Sequence, residues 1–100
     1  MLNLKGKTVL VRGAQSGVHM GILEDRIGAE VELSEVRNIW RWHGANNFTE
    51  LSAKGVVDDD YTRVTAPVDS VIFTDICEIA PCTEEAIKRI KGCKPWQYQN

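Results

Sequence analysis

The stretch Ala29-Glu30-Val31-Glu32-Leu33 alternates apolar and acidic residues without a break. Side chains of an extended strand point to opposite faces with a period of two, so this pattern predicts a half-buried strand and excludes a helix. Related signals fill the first 42 residues. Lys7-Thr8-Val9-Leu10-Val11-Arg12 is short, β-branched and apolar on both faces, which predicts a central strand. Gly13 to Gly17 turn the chain. Val18, Met20 and Ile22 then share one face of a second strand, with His19, Gly21 and Leu23 on the other. Glu24 to Gly28 reads as a hairpin connection into the alternating stretch. Arg37 to Trp42 reads as a fourth strand, with Asn38, Trp40 and Trp42 on one face and Arg37, Ile39 and Arg41 on the other.

The second half mixes the two periods. Asn47 is placed to cap a two-turn helix that Gly55 stops, with Phe48 and Leu51 on a common side. Thr62 to Ala66 suits an edge strand ended by Pro67. Ser70 to Ile79 reads as one long strand, largely covered. Thr83 is an N-cap, acids fill the first turn after it, bases fill the last, and Gly92 terminates, which defines a closing helix. Residues 94–100 form a tail that can still pack through Trp96 and Tyr98. These elements predict an α+β fold: a small curled antiparallel sheet or partly open barrel with two short helices. One hundred residues form a single domain, 1–100, and so small a core gains from self-association, so a homo-oligomer is expected.

Charge and motifs narrow the chemistry. The net charge of −2 is spread along the chain, which argues against binding duplex DNA. Asp58-Asp59-Asp60 and the basic group Lys88, Arg89, Lys91 and Lys94 read as solvated surface. No secretory leader or membrane-length apolar run is visible, so a soluble, cytoplasmic chain without membrane contact is expected. Asn47-Phe48-Thr49 matches a glycosylation acceptor but has no meaning without secretion. Cys77, Cys82 and Cys93 are expected as free thiols, and their spacing, with His19 and His43 far off, predicts neither a metal site nor a cofactor. There is no nucleophile elbow and no phosphate-binding glycine motif, and alternation puts Asp75 and Glu78 on opposite faces. A catalyst is not expected.

A binding role has more behind it. Nucleotide-like ligands call for flat rings to stack a base, planar cations for phosphate, and close backbone approach. Arg12 ends the first strand, the loop Gly13 to Gly17 with Gln15 and Ser16 can offer amides as an anion-binding nest, and His19 follows. Arg37, Trp40, Arg41 and Trp42 add two indoles and two guanidiniums. The expected ligand-binding set is therefore Arg12, Gln15, Ser16, Gly17, His19, Arg37, Trp40, Arg41 and Trp42. Each has a structural alternative: the tryptophans and His19 as core, the glycines as turn formers, and Arg37 and Arg41 as charges that protect an edge strand.

The arrangement V-L-V-R at 9–12, G-V-H-x-G-x-L at 17–23, V-x-L at 31–33, R-x-I-W-x-W at 37–42 and E-I-x-P-C-T-E-E-A at 78–86 resembles a family of small uncharacterised phage proteins. The resemblance spans nearly the whole chain. It implies a phage context, in which small proteins without catalytic motifs include sponges that sequester nucleotide-derived immune signals, often as homo-oligomers with pockets between subunits. The expectation is a non-catalytic anti-defence protein that binds a nucleotide-like molecule, cyclic or adenine-containing; the alternative is a protein-binding inhibitor or virion component with no small ligand.

Overall fold

A computed structural model describes residues 1–98. Strand β1 (Thr8–Gly13) is buried on both faces, as its unbroken apolar run requires: Leu10 points one way, Val9 and Val11 the other. It pairs antiparallel with β2 (Gly17–Ile27), and β2 pairs with β3 (Glu30–Arg41). Helix α1 (Phe48–Lys54) is capped by the Asn47 side chain, which accepts from the Glu50 amide at 2.9 Å, and Gly55 closes it at φ 74°. The two-residue strand β4 (Arg63–Val64) and strand β5 (Val68–Phe73) both pair with β3, at different ends of it. Strand β6 (Ile76–Pro81) pairs with β1, and helix α2 (Glu84–Gly92) follows with Thr83 as N-cap. The main order is β4-β3-β2-β1-β6, with β5 off that path on β3. The result is a six-stranded antiparallel sheet with two helices, an α+β fold.

β5 and β6 are joined by only Thr74 and Asp75, yet they pair with β3 and β1 respectively, two strands that flank β2. The sheet must curl to bring its margins that close, and it does not close into a barrel. Two bends make the curl. At Gly21 a Cβ would lie 2.8 Å from the Ser34 carbonyl oxygen, so only glycine allows the strands to approach at this bulge. Opposite it, Glu35 holds φ 50°, a left-handed conformation that shifts β3 between two faces without interrupting it. The curl divides the core. Leu10, Val18, Met20, Ile39 and Val64 meet Leu51 and Ile90 of the helices on one side; Val9, Val11, Leu23, Leu33 and Phe73 fill the concave side.

Several expected elements differ in extent. Glu24 to Ile27 belong to β2, because Gly28 at φ 60° makes a turn of just two residues with Ala29. The two strands expected over 29–33 and 37–42 are one, since the Glu35 bulge keeps the ladder intact. The expected strand 70–79 is two strands. The Asp75 carboxylate is drawn to the β1–β2 turn and breaks the run, and β5 is mostly exposed rather than covered.

Arg37 shows what the bulge does. It is 3% exposed, and its guanidinium donates to four carbonyls: Nε to Thr65 at 2.7 Å, Nη1 to Ile90 at 2.6 Å and Lys91 at 3.3 Å, and Nη2 to Cys93 at 2.9 Å. Ile90 and Lys91 belong to the last turn of α2 and Cys93 is its C-cap, where carbonyls run out of helical amides; the Ile90 oxygen also accepts from the Cys93 amide at 3.2 Å. Hydrogen bonds from charged donors contribute about 1.5–3 kcal/mol each, and an abandoned buried acceptor costs about 1–3 kcal/mol. Arg37→Met should therefore lower unfolding free energy by at least about 3 kcal/mol in urea titrations. Arg37→Lys should recover little, because one ammonium cannot reproduce the planar fork.

Candidate functional site

Two groups of polar and aromatic side chains stand at one end of the sheet, since the pairing of Val18 with Ile39 brings the start of β2 beside the end of β3. The first is built on the β1–β2 turn. Gly13 packs so closely that a Cβ would meet Ser16 Oγ at 1.9 Å and Asp75 Oδ1 at 2.5 Å. Gln15 and Ser16 donate their amides to Asp75 Oδ2 at 2.7 and 2.8 Å, and Ser16 Oγ bonds Asp75 Oδ1 at 2.8 Å. The nest expected for an outside anion thus exists, but the chain's own carboxylate fills it. Those donors, led by the Gln15 amide, hold Asp75 below the usual carboxylate range.

Arg12, at the strand end, is ion-paired with Glu78 across β1 and β6. Gly17 turns the chain at φ 82°. His19 is half-buried against Phe73, with ring centroids 4.6 Å apart, and its Nδ1 has no partner among the described residues. Ser16 bonds Asp75 and not His19, so these three residues do not form a nucleophile–base relay.

The second group lies where β3 meets β4. Trp40 is 42% exposed and meets Trp96 edge to face at 5.9 Å. Arg63 lies over the Trp96 ring at 4.5 Å, and Tyr98 meets Trp96 edge-on at 6.4 Å. The Trp96 amide donates to the Val64 carbonyl at 2.9 Å, which lays the tail along the outer side of β4. Beside it, Arg41 pairs in register with Arg63, lies over Tyr61 at 4.4 Å and donates to the Tyr61 carbonyl at 2.9 Å. His43 stacks on Tyr61 at 4.1 Å and 13°, and its Nδ1 is 2.8 Å from Asp59 Oδ2. That histidine and the Thr62 and Tyr61 amides hold Asp59 down to about 2. The Arg63 guanidinium has no hydrogen-bond partner among the described residues, and its Nε is buried.

The nine expected residues therefore divide three ways. Arg12, Gln15, Ser16, Gly17 and His19 gather at the turn, already engaged with Glu78, Asp75 or Phe73. Trp40 and Arg41 join the aromatic–arginine surface. Arg37 and Trp42 turn inward and do not join a shared hollow. Arg37 is bound to carbonyls as above, and Trp42 packs on the helix-side core with Nε1 bonded to the Ala45 carbonyl at 3.1 Å. The expected side-by-side placement of Trp40 and Trp42 fails because a second bulge, between Ile39 and Arg41, breaks strict alternation. Arg63, Tyr61, Trp96 and Tyr98 were not expected in the site; their one sequence signal is the recurrence of Arg and aromatic residues around short, polar segments.

A cleft of about 480 Å³ opens elsewhere, between the N-terminal segment, the far half of β2 and β6, lined by Leu4, Leu23, Cys77 and Ile79 among others. None of the nine expected residues lines it. Of the thiols, Cys77 is exposed, while burial pushes Cys82 up to about 12 and raises Cys93, so both stay protonated. No helix among the described residues is long and apolar enough to cross a membrane, which says nothing of membrane-spanning strands.

Two outcomes follow from the turn. Asp75→Ala should free the Gln15 and Ser16 amides, read as faster hydrogen exchange at those two positions with α2 unchanged. Burial lowers the His19 pKa below its ordinary 6.5, more than Asp75 offsets. The unfolded chain then takes up the proton first, so the neutral-histidine contribution is full above 6.5 and falls as pH drops below it, until the folded state is protonated too. His19→Gln should flatten the melting temperature profile between about pH 5 and 7.

No curated protein and no solved structure matches the chain significantly. A family model described as "Domain of unknown function (DUF6948)" matches residues 6–90, a span that contains the turn, β3 and β4 but stops short of Trp96, and the chain belongs to that family.

Proposed function

We propose that this chain is a non-catalytic binding protein that takes a nucleotide-like ligand on the surface formed by Trp40, Arg63, Trp96 and Tyr98, with Arg41 beside it. The observation that carries the reading is Arg63: a guanidinium stacked on an indole, with no hydrogen-bond partner among the described residues, next to a second, exposed indole. An arginine so placed has its plane fixed and its terminal Nη donors uncommitted, which suits a phosphate, while the neighbouring ring suits a base.

Magnitudes define the ligand further. One stacked base contributes about 1–3 kcal/mol. One charge-assisted phosphate contact contributes about 1.5–3 kcal/mol. Together they barely match an association cost of at least about 4 kcal/mol. One such surface captures a mononucleotide weakly. Capture in the submicromolar range calls for a second base and phosphate, as in a cyclic dinucleotide, or for the same surface on a second protomer. This is why we favour a homo-oligomer holding a cyclic, adenine-containing signal. In a phage setting such capture would keep a host immune messenger from its effector in the cytoplasm of the infected cell. The nest at Gln15 and Ser16 contributes no anion site in this reading, because Asp75 occupies it.

Isothermal titration against cyclic and linear nucleotides tests the proposal. Trp40→Ala and Arg63→Ala should each weaken capture about tenfold or more, equivalent to about 1.4 kcal/mol, with the melting temperature nearly unchanged. Null heats across the panel would overturn it, and so would equal losses of binding and folding in both variants.

A further inference from the structure

The curled sheet is open at one margin, and the cleft of about 480 Å³ is that opening. β1 pairs with β2 only as far as Thr8 and Ile22, so the far half of β2 has β3 alone for a neighbour, while β6 pairs only with β1. The cleft lies between these two free strand sides, and its volume falls within the range of about 300–1,000 Å³ typical of small-molecule sites. Its floor belongs to the concave core: Leu23 and Ile76 are buried there, and the half-buried Leu4 and Ile79 pack against them.

The N-terminal segment forms one wall. The Lys7 amide donates to the Leu4 carbonyl at 2.9 Å with Gly6 at φ 81°, a turn that sets residues 1–5 along the cleft, and the Gly6 amide ties it to the Leu23 carbonyl at 2.7 Å. Leu2 on this wall is 75% exposed, an apolar side chain with little of its own chain to rest on. The charges at the rim are one-sided. Arg26 stands opposite the buried Val31, which puts it on the face of β2 that looks into the concave side, whereas Asp25 stands opposite Glu32 on the outer face. Glu78 is tied to Arg12 and lies on the other face of β6 from Ile79. Lys5 and Arg26 are exposed and form no ion pair among the described residues. The Arg26 Nε donates to the Gly28 carbonyl at 3.1 Å, which orients the guanidinium and leaves its Nη groups uncommitted among those residues.

We infer that this cleft binds a small aliphatic anion, its chain on Leu23, Ile76 and Ile79 and its head group between Lys5 and Arg26. The floor and the Leu2 wall give an apolar body a place out of water, and two cations without partners complement a single negative head. A guanidinium fork accepts either a carboxylate or a phosphate in the same planar way, so both head groups belong to the class. A purely apolar molecule would leave the two cations unused, and a cationic one would be repelled by them. The cleft shares no residue with the Trp40 and Arg63 surface, so the inference stands or falls independently of nucleotide capture.

Cys77 supplies the readout. It lines the cleft as an exposed free thiol, whereas Cys82 and Cys93 are more buried and held protonated, so alkylation of the full chain by iodoacetamide reports on Cys77. Octanoate and octyl phosphate should each slow that alkylation severalfold and saturably, and the tighter of the two names the head group. Octanol and octylamine should need at least about tenfold higher concentrations, and acetate, which has no body to bury, should give no protection. Arg26→Gln and Lys5→Gln alter exposed side chains and should each weaken the anions severalfold, with the melting temperature and the alkylation rate of the free protein unchanged. Arg63→Ala should leave the protection intact. Absence of protection by both anions, equal protection by the alcohol or the amine, or indifference to both glutamine variants would overturn the assignment.

Discussion

One buried guanidinium organises the functional end of this molecule. Arg37 ties β3 to the last carbonyls of α2 and to Cys93, where the tail begins. From that anchor the chain runs back along β4, and the Trp96 amide closes on Val64. Trp96 then sits between Trp40 and Arg63. An arginine that could have met a ligand instead fixes the segment that supplies a ring. The burial is tolerable because a planar fork with several donors finds carbonyl oxygens of four residues in different directions.

Curvature does the rest of the positioning. A flat sheet of this length would present one buried and one wet face. The bend at Gly21 and the left-handed Glu35 give two cores on opposite faces of the same strands, with helices over one and the curled sheet over the other. Glu35 holds its conformation at a local cost of about 1–3 kcal/mol, which the ladders on either side of it offset. The bend also separates the surfaces. The aromatic–arginine group lies at the β4 end of β3, and an acidic surface bearing Ile27 and Ile72 lies over the β2–β3 hairpin at the β5 end.

The turn after β1 illustrates how a motif can be chemically right and differently used. The turn does expose converging amides, those of Gln15 and Ser16, and an anion does sit on them. The anion is Asp75, sixty residues away in sequence, and its role is to fold the β5–β6 connection onto the turn. The same ambiguity applies to Arg12, whose guanidinium meets Glu78 on the neighbouring strand.

What the sequence alone determined was local: the α+β class, the doubly buried β1, both helix caps at Asn47 and Thr83, and the alternating core positions Val31 and Leu33. These follow from backbone stereochemistry and side-chain period, which act over a few residues. Trp40 and Arg41 were legible as site candidates for the same reason, being a ring and a cation in an obvious strand. Tertiary structure decided the rest. Bulges reversed which neighbours of Trp40 face the core, Asp75 split a run that looked like one strand, and the tail brought Trp96 to Arg63. A bulge leaves little trace in composition, and a partner tens of residues away leaves none, because both are selected by what the assembled sheet must satisfy.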